Sequence, residues 1–316
     1  MKILLTDSIT VQSNNDLSLE CIKEFGDVTA YDNISRETLL KEVVDTDIII
    51  CNKTVIDKEV MDKAPNLKYI GLFATGYNNI DIQTAKQKGI VVCNAGDYST
   101  NAVAQQVICY ILNHYTKIPQ YDKFVKDGGW KKAPIFSPLV YATDEVYGKT
   151  LGIIGYGQIG KAVEKVALAL GMNVIVYTRT VKENDAKFVS FETLLEKSDI
   201  ISMHCPLNEQ SKNMMNEQAF AKCKDGAFFI NTARGGVVDE NALLNALKSG
   251  KLSGAAVDVL TSEPMSEDCV LFDAPNIVIT PHTSWAPLAT RQRLLKIVCD
   301  NITAFLNGNP QNNVAK

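Results

Sequence analysis

No stretch of the 316-residue chain is apolar for long enough to cross a bilayer. The longest apolar runs are about five to eight residues, such as Ile48-Ile49-Ile50-Cys51, against the ~20 that a spanning helix needs. Met1-Lys2-Ile3-Leu4-Leu5-Thr6-Asp7 reads as a short strand. It lacks the longer apolar core and small-residue cleavage site of a secretory leader, so a cytoplasmic protein with no membrane partner is expected. A basic excess is also missing. Thirty-two Lys and Arg stand against 36 Asp and Glu, for a net charge of −4, which argues against a nucleic-acid partner. Only three histidines occur, and the eight cysteines (21, 51, 93, 109, 205, 223, 269 and 299) include no CxxC pair. Cys205 adjoins His204, but neighbours in a strand point to opposite faces. Reduced, mostly buried thiols and no metal site are expected.

What is present is ordinary globular composition, 46% apolar and 22% charged, with a length that favours two domains. The first third alternates strand and helix. Candidate strands are 2–6, 28–31, 47–51, 67–73 and 90–93, with helices at 36–44 and 58–63 between them. Alternation at this spacing implies a parallel sheet covered by helices. A long amphipathic helix follows over 100–117, capped by Thr100 or Asn101, with Val103, Val107, Ile108, Ile111 and Leu112 at helical spacing. Residues 118–148 are rich in Pro and Gly and show little periodicity. So long an irregular stretch reads as a lid, a subunit-contact arm or a plain surface loop.

A second alternating series begins at Thr150. Its strands are 150–154, 173–177, 200–204, 227–231, 254–259 and 277–280, its helices 159–170, 192–197, 216–222 and 240–248. Six such strands predict a doubly wound sheet. A last amphipathic helix runs over 287–306 and ends at Gly308.

The most informative local motif is Gly155-Tyr156-Gly157-Gln158-Ile159-Gly160, a GxGxxG that follows an apolar strand and opens a helix. At that junction the first glycine permits the tight turn, the second lets backbone approach a pyrophosphate, and the third allows close helix–strand packing. The helix N-terminus then offers N–H groups to phosphates. The next strand ends at Thr178-Arg179-Thr180, with Lys182 nearby. Thr178 stands where an NAD site usually places a carboxylate for the ribose 2′-hydroxyl. With no carboxylate to repel a 2′-phosphate and an arginine to pair with one, NADPH is favoured over NADH. The other reading has Arg179 stacking on adenine, with either cofactor accepted.

Of the histidines, His114 falls inside the long helix and reads as structural. His204 ends a strand and reads equally as packing or as lining of an adenine pocket. His282, in Thr280-Pro281-His282, lies just past the carboxyl end of the last strand, the edge where ligands bind in open α/β sheets. Arg234 and Glu263 also follow strand ends in this half of the chain, which would bring all three to one rim. Taken singly, each has an ordinary alternative: a surface ion-pair partner, a loop cap and a loop residue.

The glycine turn, Thr232-Ala233-Arg234-Gly235-Gly236, Ala256-Val257-Asp258-Val259-Leu260 with Glu263-Pro264, and Thr280-Pro281-His282 occur in this order. Together they resemble the D-isomer-specific 2-hydroxyacid dehydrogenase family. The resemblance runs along essentially the whole chain. Ala74–Asp81 and Asp127-Gly128-Gly129-Trp130 most resemble its glycerate dehydrogenase (hydroxypyruvate reductase) branch.

The resemblance implies a fold of two Rossmann-like α/β domains with an interdomain cleft. One is a flavodoxin-like substrate domain of residues 1–100 and 285–316, the other a doubly wound dinucleotide-binding domain of residues 101–284. It implies NAD(P)H-dependent reduction of a small 2-oxo acid, with hydroxypyruvate or glyoxylate favoured, to the D-2-hydroxy acid. Alternatives are a 2-ketoaldonate, pyruvate or a branched-chain acid, or a non-catalytic dinucleotide sensor or corepressor. His282 is then the acid/base, Glu263 its partner, and Arg234 the carboxylate anchor that polarises the carbonyl. Asp258 accepts from the nicotinamide carboxamide and Val103 touches that ring. Gln158, Ile159, Thr180, His204, Cys205, Pro206, Thr232 and Ala233 complete the cofactor contacts. Thr75 and Gly76, through backbone N–H groups, join Arg234 and His282 on the substrate, and the 118–148 arm makes a homodimer; Lys53, which follows a strand, reads equally as an added positive charge on the substrate or as a solvated loop lysine. The sequence departs from the family pattern at Thr178, at Gln106, where an acidic residue is expected, and at Thr283-Ser284, where small glycines are frequent.

Overall fold

Strand–helix alternation decides the first sheet. The structure, a computed structural model, describes residues 1–180 and 187–316; Lys182 lies outside them. The chain divides into two compact units, Met1–Ser99 with Trp285–Lys316, and Thr100–Ser284. In unit 1 the strands are β1 (Lys2–Leu5), β2 (Asp27–Ala30), β3 (Ile48–Cys51), β4 (Tyr69–Leu72) and β5 (Val91–Cys93). All pair in parallel, in the order β2-β1-β3-β4-β5. That is the flavodoxin-like order.

β3 and β4 are buried throughout, as expected of parallel strands covered on both faces. Leu4, Ile49, Ile70 and Val92 face a layer that includes Leu39, Val60 and Ala85. Their neighbours Ile3, Leu5, Ile48 and Ile50 face Leu294, Val298 and Ile302 of the helix Leu288–Leu306. Helix starts follow the local chemistry: the side chains of Ser35, Asp57 and Asp81 each accept a first-turn N–H.

Unit 2 holds β6 (Thr150–Ile154), β7 (Asn173–Tyr177), β8 (Ile200–Met203), β9 (Ala227–Asn231), β10 (Leu252–Val257) and β11 (Ile277–Ile279). The parallel order is β11-β10-β9-β8-β6-β7. Beyond β7 a single parallel bridge, Val176 to Phe188, continues the sheet. Counting it as a reduced strand gives the 3-2-1-4-5-6 order of a dinucleotide-binding sheet, with β11 as a seventh strand at the far edge. Helices Thr100–Thr116 and Gln158–Ala169 cover one face through Val107, Ile111 and Val163. Leu195, Phe220 and Leu243 cover the other.

Two sequence expectations are corrected. Thr100 and Asn101 both lie inside the helix Thr100–Thr116 and not at a cap. The stretch 118–148 is not irregular from its start: Ile118–Lys126 and Gly129–Lys132 are helical. Pro119 sits in the first turn, where its missing N–H and fixed φ are tolerated.

Candidate active site

Because the unit 2 strands are parallel, every loop leaving a strand's carboxyl end emerges on one edge of the sheet, with neighbouring strands about 4.8 Å apart. That edge carries the glycine turn after β6, Thr178 after β7, His204-Cys205-Pro206 after β8, Thr232-Ala233-Arg234 after β9, Asp258 to Glu263 after β10, and Thr280 to His282 after β11.

The three glycines do different things. Gly155 has φ +95°, and a Cβ there would lie 2.6 Å from the Cys205 nitrogen, so the turn packs directly on the His204–Cys205 loop. A Cβ on Gly160 would lie 2.5 Å from the Gly155 carbonyl oxygen. A Cβ on Gly157, which caps the helix Gln158–Ala169, would meet nothing within 4 Å. The open second glycine beside unpaired first-turn N–H groups fits a diphosphate. Thr232 points the same way. It is 9% exposed and its Oγ1 is a buried atom with no hydrogen-bond partner, an arrangement that is costly unless a ligand completes it. Both features fit a dinucleotide.

His204 packs behind this turn. Its Nε2 lies 2.9 Å from the Ser202 hydroxyl, and burial pushes the imidazole down to about 4. It is therefore neutral near pH 7 and unsuited to giving a proton there. His114 is held likewise. It stacks on Phe228 at 4.0 Å, its Nε2 lies 3.0 Å from the Ser253 hydroxyl, and burial takes it to about 4. Arg179 and Thr180 are exposed, and Arg179 Nη1 donates to Gln210 Oε1 at 3.3 Å.

His282 differs from both. Its Nδ1 is 2.7 Å from Glu263 Oε2, with the two side chains 28% and 37% exposed, so the ring is anchored yet open to solvent. The other Glu263 oxygen accepts the Leu260 N–H at 3.0 Å. His282 has φ +54°, a left-handed conformation that a non-glycine residue keeps only when its surroundings enforce it. Its N–H donates to the Asp258 carbonyl at 2.8 Å. The Asp258 carboxylate accepts the N–H of Thr283 at 2.9 Å and of Ser284 at 3.0 Å.

Arg234 is exposed, with Nη1 donating to the Ala233 carbonyl at 2.7 Å. Its loop and the Glu263 loop are in direct contact: a Cβ on Gly235 would lie 1.9 Å from the Leu260 carbonyl carbon. The structure thus joins Arg234, Glu263 and His282 through touching loops on three adjacent strands. Asp258 is 1% exposed and already bonded to the His282 loop, and Val103 is 5% exposed.

Two residues absent from the sequence-based candidates support these loops. The Asn231 side chain accepts from Ala233 N–H and donates to the Arg234 carbonyl, each at 3.0 Å. Glu240 accepts the Thr261 N–H at 2.7 Å. Nothing in their spacing distinguishes them from a strand end and a first-turn acid.

In unit 1 the Lys53 loop hangs on Asp7. That buried carboxylate accepts backbone N–H groups of Asn52, Lys53 and Thr54. Lys53 and Thr75 are exposed and Gly76 is half-buried. The Thr75 hydroxyl donates to the Gly96 carbonyl.

Residues 108–284 match the family described as "D-isomer specific 2-hydroxyacid dehydrogenase, NAD binding domain". A hydroxypyruvate reductase of Blautia hydrogenotrophica is 38% identical over all of both chains. A glyoxylate reductase of Thermococcus litoralis is 40% identical over 89% of this chain and 87% of its own. Among solved structures, an NADPH-dependent glyoxylate/hydroxypyruvate reductase of Sinorhizobium meliloti superimposes with a TM-score of 0.84 at 26% identity, over 99% of this chain and 97% of that one. The chain belongs to the D-isomer-specific 2-hydroxyacid dehydrogenase family.

Proposed function

We propose that the chain reduces a small 2-oxo acid, hydroxypyruvate or glyoxylate first, to the D-2-hydroxy acid. The observation that carries this reading is the His282–Glu263 pair at 2.7 Å, on a loop that touches the one bearing Arg234. When bound, the reduced nicotinamide supplies the hydride. The other steps fall to this chain's own groups. Arg234 binds the substrate carboxylate through its fork of N–H donors and polarises the adjacent carbonyl. His282 gives a proton from Nε2 to the carbonyl oxygen, because Nδ1 is held by Glu263. The Glu263 carboxylate offsets the ring's charge when it carries two protons.

The first-turn N–H groups at Gly157, Gln158 and Ile159 would hold the diphosphate, with Thr232 as a further donor. Thr178, Arg179 and Thr180 would take the adenosine ribose, and the absence of a carboxylate there supports NADPH over NADH. Asp258 and Val103 remain the proposed nicotinamide contacts, and Cys205, Pro206 and Ala233 line the same edge. Unit 1 is the proposed substrate unit, through Lys53, Thr75 and Gly76. The protein is proposed to be cytoplasmic, and no helix among the described residues is long and apolar enough to cross a membrane.

A homodimer is also proposed. In the arm after residue 132, Phe136, Leu139 and Tyr147 are 89%, 87% and 73% exposed, apolar surface of the kind that marks a protein contact.

The test is the specificity constant for hydroxypyruvate, glyoxylate, pyruvate, a branched 2-oxo acid and a 2-ketoaldonate, with enantiomeric analysis of every product except glycolate, which is achiral. The reading expects the two smallest hydroxy- or aldehyde-bearing acids to lead and the D-product to form. Exclusive formation of an L-product would contradict it.

A further inference from the structure

The tail of unit 2 is wrapped around one carboxylate. Asp258 accepts the N–H groups of Thr283 and Ser284 at its side chain and that of His282 at its carbonyl. Its Oδ1 also takes the hydroxyl of Thr280. A carboxylate only accepts, so the single hydroxyl proton of Thr280 points to Asp258. Tyr110, from the helix Thr100–Thr116, places its hydroxyl 2.6 Å from Thr280 Oγ1, and with that proton committed it is Tyr110 that donates. The result is a one-way chain of donors, Tyr110 to Thr280 to Asp258. Tyr110 and Asp258 are 4% and 1% exposed, so water cannot readily replace a missing member.

The chain ends on the carboxylate that takes the N–H groups of Thr283 and Ser284, directly after His282, whose backbone is left-handed at φ +54°.

We propose that Tyr110 and Thr280 are positioning residues for His282, acting through Asp258. The proposal rests on His282 being the proton donor. Loss of either hydroxyl frees one Asp258 lone pair or one Thr280 rotamer, and loosens residues 282–284 without removing any group that touches substrate.

The experiment combines amide hydrogen exchange on the free protein with steady-state kinetics, in Tyr110→Phe, Thr280→Val and Thr280→Ser. Tyr110→Phe and Thr280→Val should speed exchange in the segment 280–286 while leaving the glycine-turn segment unchanged. Each should lower kcat roughly three- to tenfold, with substrate KM within about twofold. Thr280→Ser, which keeps the hydroxyl, should stay near the unmodified protein. Unchanged exchange in both Tyr110→Phe and Thr280→Val overturns the proposal, as does a Thr280→Ser as impaired as Thr280→Val. Absence of turnover in the unmodified protein overturns the functional reading, and the claim that this clamp serves catalysis falls with it. The exchange data then decide the clamp separately.

Discussion

At the residue scale the account turns on which imidazole can work as an acid. His114 and His204 are neutralised by burial and bonded to serines, whereas His282 is bonded to a carboxylate and open to solvent. His282→Ala should lower turnover by about 10²- to 10⁴-fold while dinucleotide still binds, as followed by quenching of intrinsic fluorescence. A near-normal rate would mean that another group gives the proton. Arg179→Ala should weaken NADPH by roughly 10- to 100-fold and NADH far less, since only the 2′-phosphate loses a charged hydrogen bond. Equal losses for the two cofactors would support stacking on adenine. That Arg234, Glu263 and His282, the proposed catalytic three, come to one rim was legible in the sequence because each follows a strand end inside a recognisable motif. Asn231 and Glu240 were not. Their part is to hold loop backbone, and a backbone acceptor leaves no pattern in side-chain identity.

Among elements, the glycine turn separates binding from folding. Gly157→Ala adds a methyl group into open space at the diphosphate position, so the fold should persist and dinucleotide affinity should drop. Gly160→Ala drives a methyl group to 2.5 Å from the Gly155 carbonyl oxygen, and should cost about 1–3 kcal/mol of stability. Thermal melting and dinucleotide titration on the two variants check this contrast; equal melting temperatures would show that Gly160 does not set the helix–strand distance. Strands were the most readable elements. Their cores are continuous runs such as Ile48–Cys51, and burial on both faces selects such runs whatever the neighbours. The bridge at Phe188 was not readable, being a single pair. The helix Ile118–Lys126 was hidden because Pro119 and the Gly128-Gly129 pair look like breakers. Both fall at helix ends, where they do no damage.

For the whole molecule, buried neutral histidines give stability a direction in pH. An unfolded chain takes up protons on His114 and His204 near their ordinary value of 6.5, the folded chain only near 4. Between these values the unfolded state binds more protons, so this contribution is complete above about 6.5 and is lost as pH falls through about 4. Asp16 adds a later step. The Arg291 guanidinium, bonded to both its oxygens, holds it at about 2, so its contribution is present above 3.8 and lost as pH falls through about 2. The melting temperature should therefore decline from pH 7 to pH 4, and His114→Gln should flatten that slope; an unchanged slope would remove His114 from the account. The proposed dimer is checked by light scattering after size exclusion, where a monomer at micromolar concentration would contradict it. The central claim, that this rim moves a proton and a hydride onto a 2-oxo acid, is tested most directly by the loss of reduced-nicotinamide absorbance with hydroxypyruvate. NADPH and NADH are run side by side, with His282→Ala beside the unmodified protein. The account predicts fast turnover that prefers NADPH and is abolished in the variant. Dinucleotide binding with no turnover of hydroxypyruvate, glyoxylate or any larger 2-oxo acid would contradict it and leave a dinucleotide-sensing protein in its place.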